Sequence, residues 1–163
     1  MMNSQPRFET IASSTFIGMK ISCGLFENRS YELWSQFMPR RKEIQNRKTE
    51  LYHSIQIYPS NKMADFNEAM IYEKWAAAEV ASTENIPQGM ETLNIPEGLY
   101  AVFIHKGTQE DYFTKTSPYI FIEWLPQSGF AFDLRPQFEV FNDKHKPNDP
   151  LAEEEIWVPV FKK

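Results

Sequence analysis

The chain has 163 residues, 42% of them hydrophobic and 24% charged, which excludes a disordered or fibrous protein and suffices to bury one domain's core without a covalent staple. A formal net charge of −5 excludes a general phosphate-backbone binder, so no direct contact with nucleic acid is expected. Aromatic residues make up 15% of the chain, more than a core this small needs, so some rings should line a concavity or an interface.

Cys23 is the only cysteine, so there is no intramolecular disulfide and no thiolate metal cluster, as suits a reducing compartment. Met1 to Thr10 lacks a basic segment followed by an apolar core, and nowhere do about 18 apolar residues run together. A cytoplasmic protein without a membrane span is the expectation.

Thr15 to Ser22 is rich in β-formers and reads as a strand. Tyr31 to Arg47 carries Leu33, Trp34, Phe37 and Ile44 near helical spacing, with Pro39 placed to end or kink it. Leu51 to Tyr58 and Tyr72 to Val80 alternate as strands. A turn-rich connector, Glu84 to Glu91, follows. The order then recurs: a strand from Gly98 to His105, a helix from Thr108 to Pro126 with Pro118 kinking it or marking a boundary between two pieces, and strands over Phe130 to Phe141 and Ile156 to Phe161. A polar loop with three consecutive acids, Asn142 to Glu155, separates the last two and reads as a solvated edge. Phe16 and Tyr100, Tyr58 and Phe141, and Trp75 and Trp157 stand at nearly constant separations. One domain, residues 1–163, built of two pseudo-repeats over about 8–82 and 90–163, is therefore expected.

Alternation places Ile55 and Ile57 on one face, opposite Gln56 and Tyr58, and sets Phe138 and Val140 against Glu139 and Phe141. The aliphatic set suits burial beneath the two helices. The remaining set, Trp75 and Glu79 on one strand, Glu139 and Phe141 on another, and Trp157 on the last, mixes rings with isolated carboxylates. A carboxylate among rings attracts an organic cation through charge and ring quadrupole together. The candidate ligand-binding residues are thus Glu79, Glu139, Trp75, Tyr58, Phe141 and Trp157. Each has a plainer reading as well: the glutamates as solvated charges, the tryptophans as core.

The second half holds a run of motifs: Ile95-Pro96-Glu97-Gly98-Leu99-Tyr100, then Glu123-Trp124-Leu125-Pro126-Gln127-Ser128-Gly129-Phe130, Pro136-Gln137-Phe138-Glu139-Val140, and Ile156-Trp157-Val158-Pro159-Val160. In this order and spacing they resemble the GyrI-like small-molecule-binding superfamily, which includes the effector domains of AraC-type and multidrug-responsive regulators. The first half is compatible through Phe16, Gly18, Trp34, Trp75 and Glu79. The resemblance implies an α+β fold of tandem strand-helix-strand-strand units, forming a concave antiparallel sheet with two helices on its convex face. It also implies that an acidic residue, Glu79 or Glu139, meets cationic or electrophilic aromatic ligands. No helix-turn-helix segment accompanies the motifs, as in stand-alone members.

His53, His105 and His145 lie on different elements without metal-binding spacing, so no metal and no cofactor are expected. The leading expectation is a stand-alone sensing or sequestering protein for hydrophobic, cationic aromatic molecules, with a link to transcription regulation and with catalysis left open. The alternatives are a hydrolase of electrophiles using Glu79 or Glu139, and a protein-interaction module of the gyrase-inhibitor type.

Overall fold

The structure is a computed structural model that describes residues 5–163. The first four residues, part of the stretch read for a secretion signal, lie outside the described residues. Among the described residues nine strands occur: β1 (Arg7–Ile11), β2 (Ser14–Gly24), β3 (Tyr52–Ile57), β4 (Ile71–Val80), β5 (Glu91–Ile95), β6 (Gly98–Lys106), β7 (Phe130–Phe132), β8 (Gln137–Phe141) and β9 (Glu153–Lys162). Helix α1 (Ser30–Phe37) follows β2, and a longer helical segment, residues 109–127, follows β6.

Leu33 and Phe37, one turn apart, are the buried face of α1. Pro39 does not kink the helix; it starts a tighter 3-10 turn, Met38–Glu43, where its missing N–H costs nothing. The longer segment opens with a capping box: Asp111 N–H donates to Thr108 Oγ1 and Thr108 N–H donates to the Asp111 carboxylate, each at 3.1 Å. It runs through Pro118 without a break. Its turns widen on both sides, Ser117 N–H donating to Tyr112 O and Leu125 N–H to Ile120 O, and this wider winding accommodates a residue that cannot donate.

The sheet is antiparallel in the order β1-β6-β9-β8-β3-β4-β2-β5, with β7 also pairing β9. β1 and β2 lie near opposite ends of that order, yet only Ala12 and Ser13 join them. Likewise only Pro96 and Glu97 join β5 to β6. In a flat sheet β2 and β6 would stand about 24 Å apart at strand spacing, so these links curl the sheet until its ends meet. The inner face then closes on itself, burying Phe16, Ile55, Trp75, Ile95, Tyr100, Val102 and Phe138 as one cluster. The outer face carries α1 over Ile17, Tyr52, Ala76 and Ala78, and the longer segment over Ala101, Phe103, Ile156 and Val158.

Three features depart from the expected elements. Edge strands β1 and β5 were not foreseen. The predicted strand from Phe130 to Phe141 divides at Asp133 to Pro136, where the Arg135 guanidinium donates to Leu99 O at 2.6 Å and to Asp133 Oδ2 at 2.8 Å. β9 begins at Glu153, inside the stretch read as loop. Among the described residues, no helix is long and apolar enough to cross a membrane.

Candidate functional site

The strand registers divide the predicted site residues between the two faces. Trp75 pairs with Ile55, Ile55 with Phe138, and Phe138 with Trp157, so both tryptophans share the aliphatic inner face. Glu139 pairs with Ser54 and Ile156 and shares the outer face with Tyr58 and Phe141. Two expectations are corrected here. The helices cover the face bearing Glu139, not the aliphatic one, and Trp75, Trp157 and Glu79 do not meet Glu139.

Each inner-face tryptophan already has a cation and a carboxylate. The Trp75 indole N–H donates to Glu73 at 3.0 Å, with the Lys20 ammonium 5.6 Å from its ring centre. The Trp157 indole N–H donates to Glu155 at 3.0 Å, with the Arg7 guanidinium 5.6 Å from its ring centre. Glu79 is held by Lys48 at 3.5 Å near the end of β4. The chemistry read for a ligand is therefore satisfied on this face by the protein's own side chains.

On the outer face the strip between α1 and the longer segment is polar at its floor and aromatic at its sides. Gln56 Nε2 donates to Glu139 Oε1 at 3.0 Å, while Gln137 Nε2 lies 3.5 Å from Glu139 Oε2 and 3.4 Å from the Tyr112 hydroxyl. Tyr58 packs on Tyr72 and Phe66 at 5.1 and 5.2 Å between ring centres, and Phe132 joins them at 6.1 Å. At the other end Trp34 stands 5.0 Å from Phe141, which stands 4.7 Å from His145. The two helical segments touch where they begin, Gln109 Nε2 lying 3.3 Å from Ser30 Oγ.

Glu139 keeps a part-exposed side chain, yet desolvation is the largest influence on it and raises its carboxyl above the usual range. Those two properties together describe a group at the floor of a cleft, which water reaches but does not surround. Lys74 and the two glutamine amides oppose the rise by favouring the carboxylate. Glu154 is pushed up to about 8 by burial first and by Glu139 second. Its neighbour His145, at 3.3 Å, is lowered by burial, so near neutrality the pair is a neutral contact rather than an ion pair. The hydroxyls of Tyr58, Tyr72 and Tyr112 are all raised, mainly by burial, and stay protonated. Gln56, only 5% exposed, leaves its buried Oε1 without a hydrogen-bond partner.

Sequence reasoning missed Lys74, Gln56, Gln137, Tyr112 and Glu154. Lys74 is only 9% exposed, a burial that its charged neighbour Glu73 gives no sign of in the sequence. Glu154 was read with Glu153 and Glu155 as a solvated edge, although alternation in β9 turns it alone of the three toward the cleft. A hollow of about 430 Å³ is lined by Phe8, Tyr119, Glu123, Trp124 and Phe130. It lies on the far side of the longer segment, its carboxylate is exposed, and it lacks a recessed charge.

Comparison with known proteins bears on the fold and the family. Residues 4–160 match the GyrI-like small molecule binding domain. Over 131 residues, 80% of this chain and 46% of the relative's length, the sequence is 26% identical to the transcriptional regulator BrlR of Pseudomonas aeruginosa; the chain thus spans less than half of that protein. The structure of SAV2435 bound to tetraphenylphosphonium superposes with a TM-score of 0.70 at 14% identity, covering 97% of this chain and 94% of that one. EcmrR, solved in a complex with DNA, superposes with a TM-score of 0.68 at 19% identity, covering 100% of this chain and 59% of that one. The match to the family model extends over nearly the whole described sequence, and the chain belongs to the GyrI-like small-molecule-binding family.

Proposed function

We propose that the chain binds aromatic organic cations in the cleft between its two helical segments, as a sensing or sequestering module, with Glu139 supplying the charge and the surrounding rings the contact area. The observation that carries this reading is Glu139 itself: a recessed carboxylate, held by two glutamine amides and set among Tyr58, Tyr72 and Tyr112. Such a group gains more from a guest cation than from water that cannot fully solvate it. SAV2435, with the same fold, is bound to one such cation. The two halves, about 8–82 and 90–163, are proposed as pseudo-repeats that each supply one helical wall, a reading supported by the matching Trp75–Glu73 and Trp157–Glu155 pairs of the inner face.

Titration calorimetry with tetraphenylphosphonium, beside neutral triphenylphosphine oxide, tests the reading. The cation should bind and quench Trp34, the tryptophan beside the cleft, and Glu139→Gln should weaken it about ten-fold or more while changing the neutral analogue little. Equal losses for both ligands, or no binding of the cation, would sink the proposal.

A second reading, hydrolysis of an electrophilic aromatic, is favoured by one observation: Gln137 bridges a raised carboxyl and the Tyr112 hydroxyl, a general acid-base pair in outline. Mass spectrometry of such compounds incubated with the protein decides it. Turnover lost in Glu139→Gln supports catalysis, and unchanged compound despite binding removes it.

A further inference from the structure

The floor of the cleft holds a second charge that neither the fold nor the cation-binding reading requires. Lys74 lies on β4 opposite Gln56, which lies on β3 opposite Gln137; the three form one buried row, 9%, 5% and 2% exposed. Glu139 belongs to the next row, opposite Ser54 and Ile156, and Glu154 to the row beyond, opposite His105. A guest seated over Glu139 therefore sits between Lys74 and Glu154. Lysine is almost never buried without a counter-charge, and here Lys74 acts on both carboxyls through Coulomb attraction.

The charges on this floor cannot be changed one at a time. With Lys74 positive, Glu139 ionised and Glu154 protonated, the floor is neutral, and a monocation would leave it with a net positive charge in a poorly solvated place. Ionised Glu154 restores balance. We propose that Lys74 is a resident cation that sets the charge the cleft accepts, so that a monocation binds as Glu154 releases its proton to solvent, while neutral guests are indifferent to both residues. This rests on the cation-binding reading above and adds to it the charge class and the pH at which the site works.

The other titratable groups facing this floor are Tyr58 at the end of β3, Tyr72 on β4, Tyr112 on the longer helical segment, His105 on β6, His145 in the loop before β9, and Cys23 and Glu27 beside Tyr72. The tyrosines are held neutral by burial, and His145 is lowered away from the charged form. Glu154, standing at about 8 in the free protein, is the group left to titrate near neutrality. The sign follows: a guest cation lowers it, so affinity rises with pH and levels off once Glu154 is ionised in the free protein as well.

The test is calorimetry of tetraphenylphosphonium binding to the full chain at pH 6, 7 and 9, in two buffers of different ionisation enthalpy, for the natural protein, Lys74→Met and Glu154→Gln. In the natural protein affinity should rise about ten-fold or more from pH 6 to pH 9, with close to one proton released per cation at pH 7. Glu154→Gln should keep the pH 6 affinity throughout. At pH 9 Lys74→Met should bind about ten-fold tighter than the natural protein, the gain expected when a like charge some 8 Å away is removed at an intermediate dielectric. Triphenylphosphine oxide should be insensitive to all of these changes. Cation binding without proton release, or a Lys74→Met protein that binds no tighter at pH 9, overturns the inference. Should Lys74→Met not fold, the proton count and the Glu154→Gln arm still decide it. Absence of cation binding in every protein would remove the cation-binding reading itself.

Discussion

Both faces of the sheet set aromatic rings beside carboxylates, but they answer those carboxylates differently. On the inner face Glu73 and Glu155 each meet an indole N–H and a basic side chain, Lys20 or Arg7, and the rings are closed into a core. On the outer face Glu139 meets two neutral amides and a more distant Lys74, and the rings stop short of covering it. A ring beside an acid is thus equally a structural clamp or a receptor; what separates them is whether the chain's own cation touches the acid, as Lys20 and Arg7 do, or acts on it from a distance, as Lys74 does.

Truncating the inner face should show the clamp directly. Trp75, 3% exposed, should cost about 3 to 5 kcal/mol on replacement by Ala, read by chemical denaturation; a loss below 1 kcal/mol would mean that this face is not a core. His53 is next. It lies between Phe16 and Phe138 on the inner face, 7% exposed, and burial lowers it to about 4. Because the folded state disfavours the charged form, its contribution is intact above pH 6.5 and is lost as pH falls toward 4, by about 3 kcal/mol in all. A His53→Gln protein should show a flatter stability profile over that window. Glu139→Gln should do the reverse of Trp75→Ala: unfolding free energy should stay within about 1 kcal/mol of the natural protein, or rise, because a desolvated acid is replaced by an amide of the same shape. Marked destabilisation would make Glu139 a structural group. The smallest effect is assigned to Glu79. Its pair with Lys48 is partly exposed, so Glu79→Gln should cost less than about 1 kcal/mol and leave cation affinity unchanged.

Period-two alternation correctly separates the two faces within each strand, because Ile55 and Gln56, or Phe138 and Glu139, must point oppositely. It says nothing about which half of one strand aligns with which half of the next. That phase depends on register, and reading Trp75 and Trp157 with Glu139 instead of with Ile55 misplaced half of the candidate site. β1 and β5 were illegible for another reason: as outer strands bearing mostly exposed residues, they lack the apolar contrast that marks an interior strand. Lys74 and Glu154 escaped because a charge within a strand ordinarily faces water. Burial brought about by a helix packing from a remote part of the chain leaves no local mark.

The short links that bring the ends of the sheet together also govern how the chain can reach this state. β1, near the amino terminus, pairs Arg7 with Val102, and β3 pairs Tyr52 with Phe141, so neither the first edge nor the centre of the sheet exists until most of the chain is available. Pairing across such sequence distances places folding on the slow, millisecond-to-second side for a domain of this size. During synthesis β2 to β5 can pair among themselves with α1 on their outer face, but β1 and the free edge of β3 must wait, and the cleft gains its second wall only in the last stage, when β8 and β9 settle between the two halves.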